Sequence, residues 1–184
     1  MVVAADLSAP DSAARATDAV RDAFKGAPDI LINNAGIFTI VELQRMEVDA
    51  FSRMLDTNLL APFILLRAFL PAMRDRRSGH VLTIGSTADR AIYAGNAAYS
   101  ATKFGMRAMH EVLRAETRGS GVRATLVSPA GVDTGIWDSI TLPGSTGPPD
   151  RAAMMPASAV ANAVLYALTQ PTDVNVDELR LSHS

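Results

Sequence analysis

The chain has 184 residues, which is long enough for one domain with a full hydrophobic core and too short for two. Its net charge of -2 and its lack of cysteine exclude a basic surface for nucleic acid, disulfides, cysteine-bound zinc and thiol catalysis. The longest apolar stretch, residues 59–70, is interrupted by Pro62 and Arg67, and the start of the chain is no signal peptide. We therefore expect one cytoplasmic domain, residues 1–184, that does not bind a membrane.

Short apolar runs alternate with helical patterns along the chain. Continuously apolar strands that alternate with helices are typical of a parallel sheet covered on both faces. A stretch rich in glycine, proline, serine and threonine, residues 137–156, predicts a long loop. The patterns predict strands at 2–5, 29–32, 80–84, 122–127 and 178–181, and helices at 11–25, 47–77 with a break, 98–118 and 157–168.

Several polar residues and turns directly follow the predicted strands. In open parallel sheets, ligands bind beyond the carboxyl ends of the strands. This rule brings four groups to one edge of the predicted sheet: Asp6, Asn33 to Gly36, Ser86, and Pro129 to Thr134.

Tyr99 and Lys103 are four positions apart on a predicted helix, so their side chains share one helix face. A nearby ammonium favours the phenolate and lowers the pKa of a tyrosine, which suits a group that exchanges protons near neutral pH. Taken alone, such a pair is more simply interpreted as a surface Tyr and Lys on an ordinary helix. Tyr93 has no such partner, because Ala97 occupies the position four residues later. The three scattered histidines predict no metal site.

Three further motifs occur in order around this pair: Asn33-Asn34-Ala35-Gly36, Asp56-Thr57-Asn58 and Ser86. With Tyr99 and Lys103, they resemble the short-chain dehydrogenase/reductase family across nearly the whole chain. The resemblance implies an α/β, Rossmann-like, doubly wound parallel sheet and an oxidoreductase that uses NAD or NADP. It implies catalytic roles for Asn58, Ser86, Tyr99 and Lys103. Tyr99 would be the acid/base, Lys103 would lower its pKa and bind the nicotinamide ribose, and Ser86 would hold the substrate oxygen.

The resemblance also implies a set of cofactor-binding residues. Pro129-Ala130-Gly131-Val132-Asp133-Thr134 is similar to the family's segment over the nicotinamide, although Ala130 stands where glycine is usual. Asn33 to Gly36 could also be a simple turn, and Asp6 a solvated acid at a strand end. The residues expected to contact the cofactor are Asp6, Asn33, Ala35, Gly36, Tyr99, Lys103, Pro129, Gly131, Val132 and Thr134.

Asn58 admits two interpretations, because Pro62 follows it by four positions and has no N–H. If the helix is continuous, the Asn58 carbonyl loses its intrahelical partner and can hold a water, and the family uses this position in a proton relay. Otherwise Pro62 simply lies in the first turn of a helix, where proline is tolerated.

The family's glycine-rich phosphate-binding start has no counterpart before Asp6. We therefore expect a sheet truncated at its N-terminus, with the first two strands absent, and a chain that alone neither binds NAD(P) at ordinary affinity nor catalyses hydride transfer. A catalytically silent protein that acts as a binding or scaffolding partner is the alternative to an oxidoreductase. The resemblance implies a small carbonyl or alcohol substrate and a homodimer or homotetramer. We expect its two long helices, 59–74 and 98–115, to associate and residues 137–156 to form a mobile lid.

Overall fold

A computed structural model describes residues 1–140 and 150–184 of the chain. Within these ranges, four parallel strands form the main sheet in the order β1, β2, β3, β6, and β4 pairs with β5 separately. The predicted α/β fold with a parallel sheet is confirmed. The strands are β1 (Ile30–Asn33), β2 (Gly79–Ile84), β3 (Val122–Pro129), β4 (Val132–Asp133), β5 (Met155–Pro156) and β6 (Glu178–Leu181).

The helices have the bounds that the sequence predicts, to within a few residues. Helix α1 begins at Pro10, whose missing N–H is no loss in a first turn, and ends at Lys25 in the left-handed conformation, with φ 53°. The helices are α1 (Pro10–Phe24), α2 (Val48–Leu55), α3 (Ala61–Asp75), α4 (Ala97–Thr117) and α5 (Ala157–Leu168).

One hydrophobic core lies between the sheet and helices α1, α3 and α4. Its largest members are Phe69 and Met73 of α3, which are 2% and 0% exposed. They pack with Leu31 of β1, Val81 of β2 and Leu113 of α4. Burial of such side chains stabilises the fold by about 1.5–3 kcal/mol each. This face of the sheet, covered by α1, α3 and α4, is called the closed face below.

The prediction of a strand at Val2–Ala5 is wrong. The structure has no strand there, and Val2 is 96% exposed. Asp6 instead joins a turn before α1, where its carboxylate accepts hydrogen bonds from the Ser8 N–H and hydroxyl at 2.9 and 2.7 Å. A strand needs a pairing partner, and this run of two valines and two alanines buries too little surface to bring it to β1. It therefore does not pair beside β1 either.

Helices α2 and α3 are one continuous helix, Val48–Asp75, without the predicted break. A π-helical turn, Asp56–Leu60, joins them directly before Pro62, whose missing N–H favours such a change in hydrogen bonding. By length and composition alone this helix could cross a membrane. Its apolar face contains Leu66, Phe69 and Met73 of the core cluster, which accounts for its composition.

Residues 137–156 contain more regular structure than the predicted loop. A 3-10 turn ends at Trp137, another spans Arg151–Ala153, and β5 pairs with β4. Met155 is buried, and its N–H donates to the Gly131 carbonyl at 3.0 Å. The centre of the predicted lid, residues 141–149, lies outside the described residues. Its mobility stays a prediction.

Candidate active site

The carboxyl ends of β1, β2 and β3 open into a cavity of about 1050 Å³. This is the edge where an open parallel sheet is expected to bind ligands. The opposite wall comes from α5 and from the segment after β3. Three of the four predicted catalytic side chains line the cavity, namely Ser86, Tyr99 and Lys103.

Ser86 and Tyr99 face one another in this cavity. The Ser86 hydroxyl oxygen accepts a hydrogen bond from the Ala88 N–H at 3.1 Å, so its own proton is free to be donated elsewhere. Burial raises the pKa of Tyr99, and hydrogen bonding from Ser86 opposes part of that rise. Desolvation of the phenolate is the largest effect on this pKa, and the expectation that Lys103 lowers it stays a prediction.

Lys103 lies one helical turn after Tyr99 on α4 and is 7% exposed. Its Nζ donates a hydrogen bond to the Ile84 carbonyl at 2.9 Å and lies 5.5 Å from the centroid of the Tyr99 ring. Burial lowers the pKa of Lys103 to about 8. The two side chains therefore enter one cavity, as their spacing predicts, and the ammonium is held at the end of β2.

Asn58 is buried, and its side chain holds the loop after β1 in place. Its Oδ1 accepts from the Ile37 N–H at 2.8 Å, and its Nδ2 donates to the Ile37 carbonyl at 2.9 Å. The same Nδ2 donates to the Thr102 hydroxyl of α4 at 3.2 Å. A Cβ at Gly36 would lie 3.3 Å from Asn58 Oδ1, so glycine permits this close approach. A relay through the Asn58 carbonyl stays a prediction.

A buried ion pair supports the turn that carries Ser86, and the sequence analysis missed it. The Asp89 carboxylate accepts from the Ser128 hydroxyl at 2.6 Å and from Arg90 Nε at 2.6 Å. Arg90 also pairs with Glu178, so the turn is joined to both β3 and β6. The hydrogen bond to Asp89 raises the pKa of Arg90. No local pattern signals this network, because Ser128 and Glu178 lie far from Asp89 and Arg90 in the sequence.

The predicted cofactor residues divide into two groups. Most of them line the cavity: Ala35, Gly36, Tyr99, Lys103, Pro129, Gly131, Val132 and Thr134. Asp6 and Asn33 do not. Asp6 is exposed at the start of α1, where its bonds to Ser8 lower its pKa. Asn33 is 6% exposed, and its side-chain N and O atoms have no hydrogen-bond partner among the described residues.

Several other residues that were not predicted as cofactor contacts also line the cavity. Asn34 lines it in place of Asn33. Phe38 and Trp137 contribute aromatic rings, and Tyr93 lines the cavity although it lacks a lysine partner. Phe38 follows the predicted turn closely in sequence, so extending the strand-end rule by a few residues would have found it. Trp137 gave no signal, because it enters through the fold of the long segment after β3.

Comparison with known proteins places the chain in a family. The model of the short chain dehydrogenase family matches residues 1–143. An uncharacterized oxidoreductase of Staphylococcus saprophyticus is 33% identical over 178 residues, which are 94% of this chain and 72% of that protein. An uncharacterized oxidoreductase of Staphylococcus aureus is 36% identical over 154 residues, 84% of this chain and 64% of that protein.

Solved structures of short-chain oxidoreductases resemble the chain as well. A metagenomic short-chain oxidoreductase in complex with NADP is 30% identical, with a TM-score of 0.80, over 99% of this chain and 73% of that one. An alcohol dehydrogenase from Thermococcus sibiricus, complexed with 5-hydroxy-NADP, is 27% identical, with a TM-score of 0.83, over 96% of this chain and 72% of that one. The chain belongs to the short-chain dehydrogenase family, which is a family of oxidoreductase enzymes.

Proposed function

We propose that the protein is an oxidoreductase that transfers a hydride between NAD or NADP and a carbonyl or alcohol substrate. The observation that carries the proposal is the convergence of Ser86, Tyr99 and Lys103 in one cavity at the carboxyl edge of the sheet. A hydroxyl donor, a buried phenol and a buried ammonium are the groups that a proton transfer to a carbonyl oxygen needs. Membership of an oxidoreductase family supports the same assignment.

In the direction of reduction, the substrate oxygen lies between the Ser86 and Tyr99 hydroxyls. Ser86 donates a hydrogen bond to it, since the Ala88 N–H already occupies an acceptor site of the serine oxygen. Tyr99 gives its proton to the oxygen as negative charge develops there, and takes it back when an alcohol is oxidised. The nicotinamide, when bound, supplies or accepts the hydride. The Lys103 ammonium stabilises the tyrosinate that the proton transfer leaves behind.

The cavity fits the nicotinamide end of a dinucleotide better than its diphosphate. Asn34, Gly36 and Lys103 offer donors for the ribose, and Pro129 to Thr134 would cover the nicotinamide ring. Among the described residues that line the cavity, Lys103 alone carries a cationic group, so phosphates find little positive charge there. We therefore expect the 184-residue chain to bind NADH and NADPH more weakly than micromolar. Calorimetric titration measures this, and micromolar binding of either cofactor would contradict it.

Assembly and location are part of the proposal. Helices α3 and α4 carry exposed apolar side chains, among them Phe63 and Phe104 at 47% and 41% exposed. A symmetric pairing of these helices would bury them, and two-fold dimers are the commonest soluble assemblies. We propose a homodimer or homotetramer on this ground, and a cytoplasmic location from the composition of the chain, which has no cysteine.

Direct hydride transfer is tested by isotope. The longest form of the protein that the reading frame encodes is incubated with acetophenone and NADPH or NADH carrying deuterium at C4 of the nicotinamide. We expect 1-phenylethanol with one deuterium at the carbinol carbon, detected by mass spectrometry. A protein that binds the cofactor in the calorimeter and yields no deuterated alcohol from any ketone offered would refute the proposed function.

A further inference from the structure

An aromatic wall stands beside the phenol of Tyr99. The rings of Phe38 and Tyr99 meet edge to face, with centroids 4.6 Å apart and planes at 64°. Phe38 also meets Trp137 edge to face, at 5.1 Å and 75°. All three rings line the cavity, so a substrate whose oxygen reaches Tyr99 places its carbon substituents against this wall. The wall is defined as Phe38, Tyr99 and Trp137.

Two rings of the wall, Phe38 and Trp137, are held in place by the protein itself. Ile37, next to Phe38 in the chain, is held through its N–H and its carbonyl by Asn58, at 2.8 and 2.9 Å. The Trp137 indole N–H donates to the Val132 carbonyl at 2.9 Å. Because its one donor is already used, Trp137 offers a substrate only an apolar surface. The wall is therefore preorganised, and binding to it costs little ordering.

The electrostatics of the cavity exclude charged substituents near the wall. Among the described residues that line the cavity, none carries a carboxylate, and Lys103 carries the one ammonium group. That ammonium is bound to the Ile84 carbonyl at 2.9 Å. Ile40 and Ile136 extend the apolar lining around the rings. A carboxylate or an amine packed against Phe38, Trp137 and the two isoleucines would lose its hydration without gaining a partner from those side chains.

We propose that the substrate is an uncharged carbonyl compound or alcohol whose reacting carbon carries an aryl group, which packs on the wall of Phe38, Tyr99 and Trp137. The inference rests on the proposed function for the position of the reacting oxygen. The substrate class itself comes from the ring geometry and from the charges of the lining. Anionic 2-hydroxy acids and small polar alcohols are then poor ligands.

The sole tryptophan of the chain, Trp137, reports binding without any turnover. Its fluorescence is titrated with 1-phenylethanol, with mandelate, in which a carboxylate replaces the methyl group, and with propan-2-ol, which lacks the ring. We expect 1-phenylethanol to shift the emission with a Kd at least about tenfold lower than those of the other two. Equal or tighter binding of mandelate or propan-2-ol, or no shift with 1-phenylethanol, would overturn the proposal.

Substitutions in the wall test whether the fluorescence change of Trp137 reports binding at the wall. Phe38→Ala should weaken 1-phenylethanol binding about 3- to 10-fold, since it removes one aromatic contact. Phe24→Ala, at a position on α1 that is 56% exposed, is the matched control and should change nothing. If Phe38→Ala loses its native circular dichroism, Phe38→Leu keeps an apolar side chain and should still weaken binding. Unchanged affinity in a folded Phe38 variant would also overturn the proposal.

The outcomes separate this inference from the proposed function. Binding of 1-phenylethanol without deuterium transfer to acetophenone or any other ketone would leave the aryl site standing and refute the oxidoreductase. Deuterium transfer to phenylglyoxylate in preference to acetophenone would confirm the oxidoreductase and overturn the substrate class. Tyr99→Phe keeps the ring of the wall, so this variant should still bind 1-phenylethanol.

Discussion

The two faces of strand β1 differ although the strand is only four residues long. Leu31 points into the closed face, is 8% exposed and belongs to the core cluster with Phe69 and Met73. Ile32, the next residue, is 43% exposed and lines the cavity. Ile30, on the same side as Ile32, is 46% exposed. One face of this strand stabilises the fold, and the other leaves room for a ligand.

The difference between the two faces explains why the candidate catalytic residues lie on the cavity side of the sheet. The closed face is filled by α1, α3 and α4, so it can hold the strands in register. The cavity side receives the ends of the same strands together with Ser86, Tyr99 and Lys103. A site placed on a rigid sheet edge keeps its geometry while the surrounding wall varies with the substrate. Substitutions at neighbouring residues of β1 should therefore have different effects, depending on which face the side chain occupies.

The largest difference is expected between Leu31→Ala and Ile32→Ala. Removing Leu31 leaves a cavity in the packed core and should lower the free energy of unfolding by about 2–5 kcal/mol. Removing Ile32 deletes a side chain that is already partly solvated and should cost less than about 1.5 kcal/mol. Urea denaturation measures both, and equal losses from the two variants would show that the two faces of β1 do not differ in this way.

Acid should destabilise the closed face through a buried histidine. His110 of α4 is 1% exposed and bonds the Thr83 hydroxyl of β2 at 3.0 Å, and burial lowers its pKa to about 4. In the unfolded state His110 takes up a proton near pH 6.5, whereas in the folded state it stays neutral down to about pH 4. The stability that neutral His110 gives the fold is therefore complete above about pH 6.5 and is lost as the pH falls toward about 4. Within this range the free energy of unfolding falls by about 1.4 kcal/mol per pH unit.

His110→Gln should remove that part of the acid sensitivity, measured as the change in urea midpoint between neutral and mildly acidic buffer. His183→Gln is the control, because His183 is exposed near the end of the chain. His80, whose pKa burial also lowers to about 4, keeps the remaining acid sensitivity in both variants. Parallel pH profiles for wild type and His110→Gln would contradict the account.

Local patterns predicted most of the fold. Apolar periodicity located all the long helices, because each buries one stripe of side chains whatever its partners are. The prediction of a strand at Val2–Ala5 was wrong, because a strand is stable only beside a neighbouring strand and the local pattern contains no information about a neighbour. The predicted break within the helix of residues 47–77 is wrong as well. The chain absorbs the missing N–H of Pro62 in a π turn instead of ending the helix.

The candidate site was predictable where its residues lie close together in sequence. Tyr99 and Lys103 share one helix face through their spacing, Ser86 directly follows β2, and the resemblance to the family connected the three. The hydrogen bonds between Asn58 and Ile37 and between Ser128 and Asp89, and the ion pair of Arg90 with Glu178, depend on packing between distant segments. Such contacts leave no local pattern, and a single sequence cannot show them.

The most direct test of the central claim is Tyr99→Phe in the longest form of the protein that the reading frame encodes. The change removes the proton donor and keeps the ring, so kcat should fall about 10²- to 10⁴-fold while calorimetric affinity for the nicotinamide cofactor changes little. Tyr166→Phe, on α5 at a position 56% exposed, should keep the wild-type kcat. A Tyr99→Phe enzyme with nearly wild-type kcat would contradict the account.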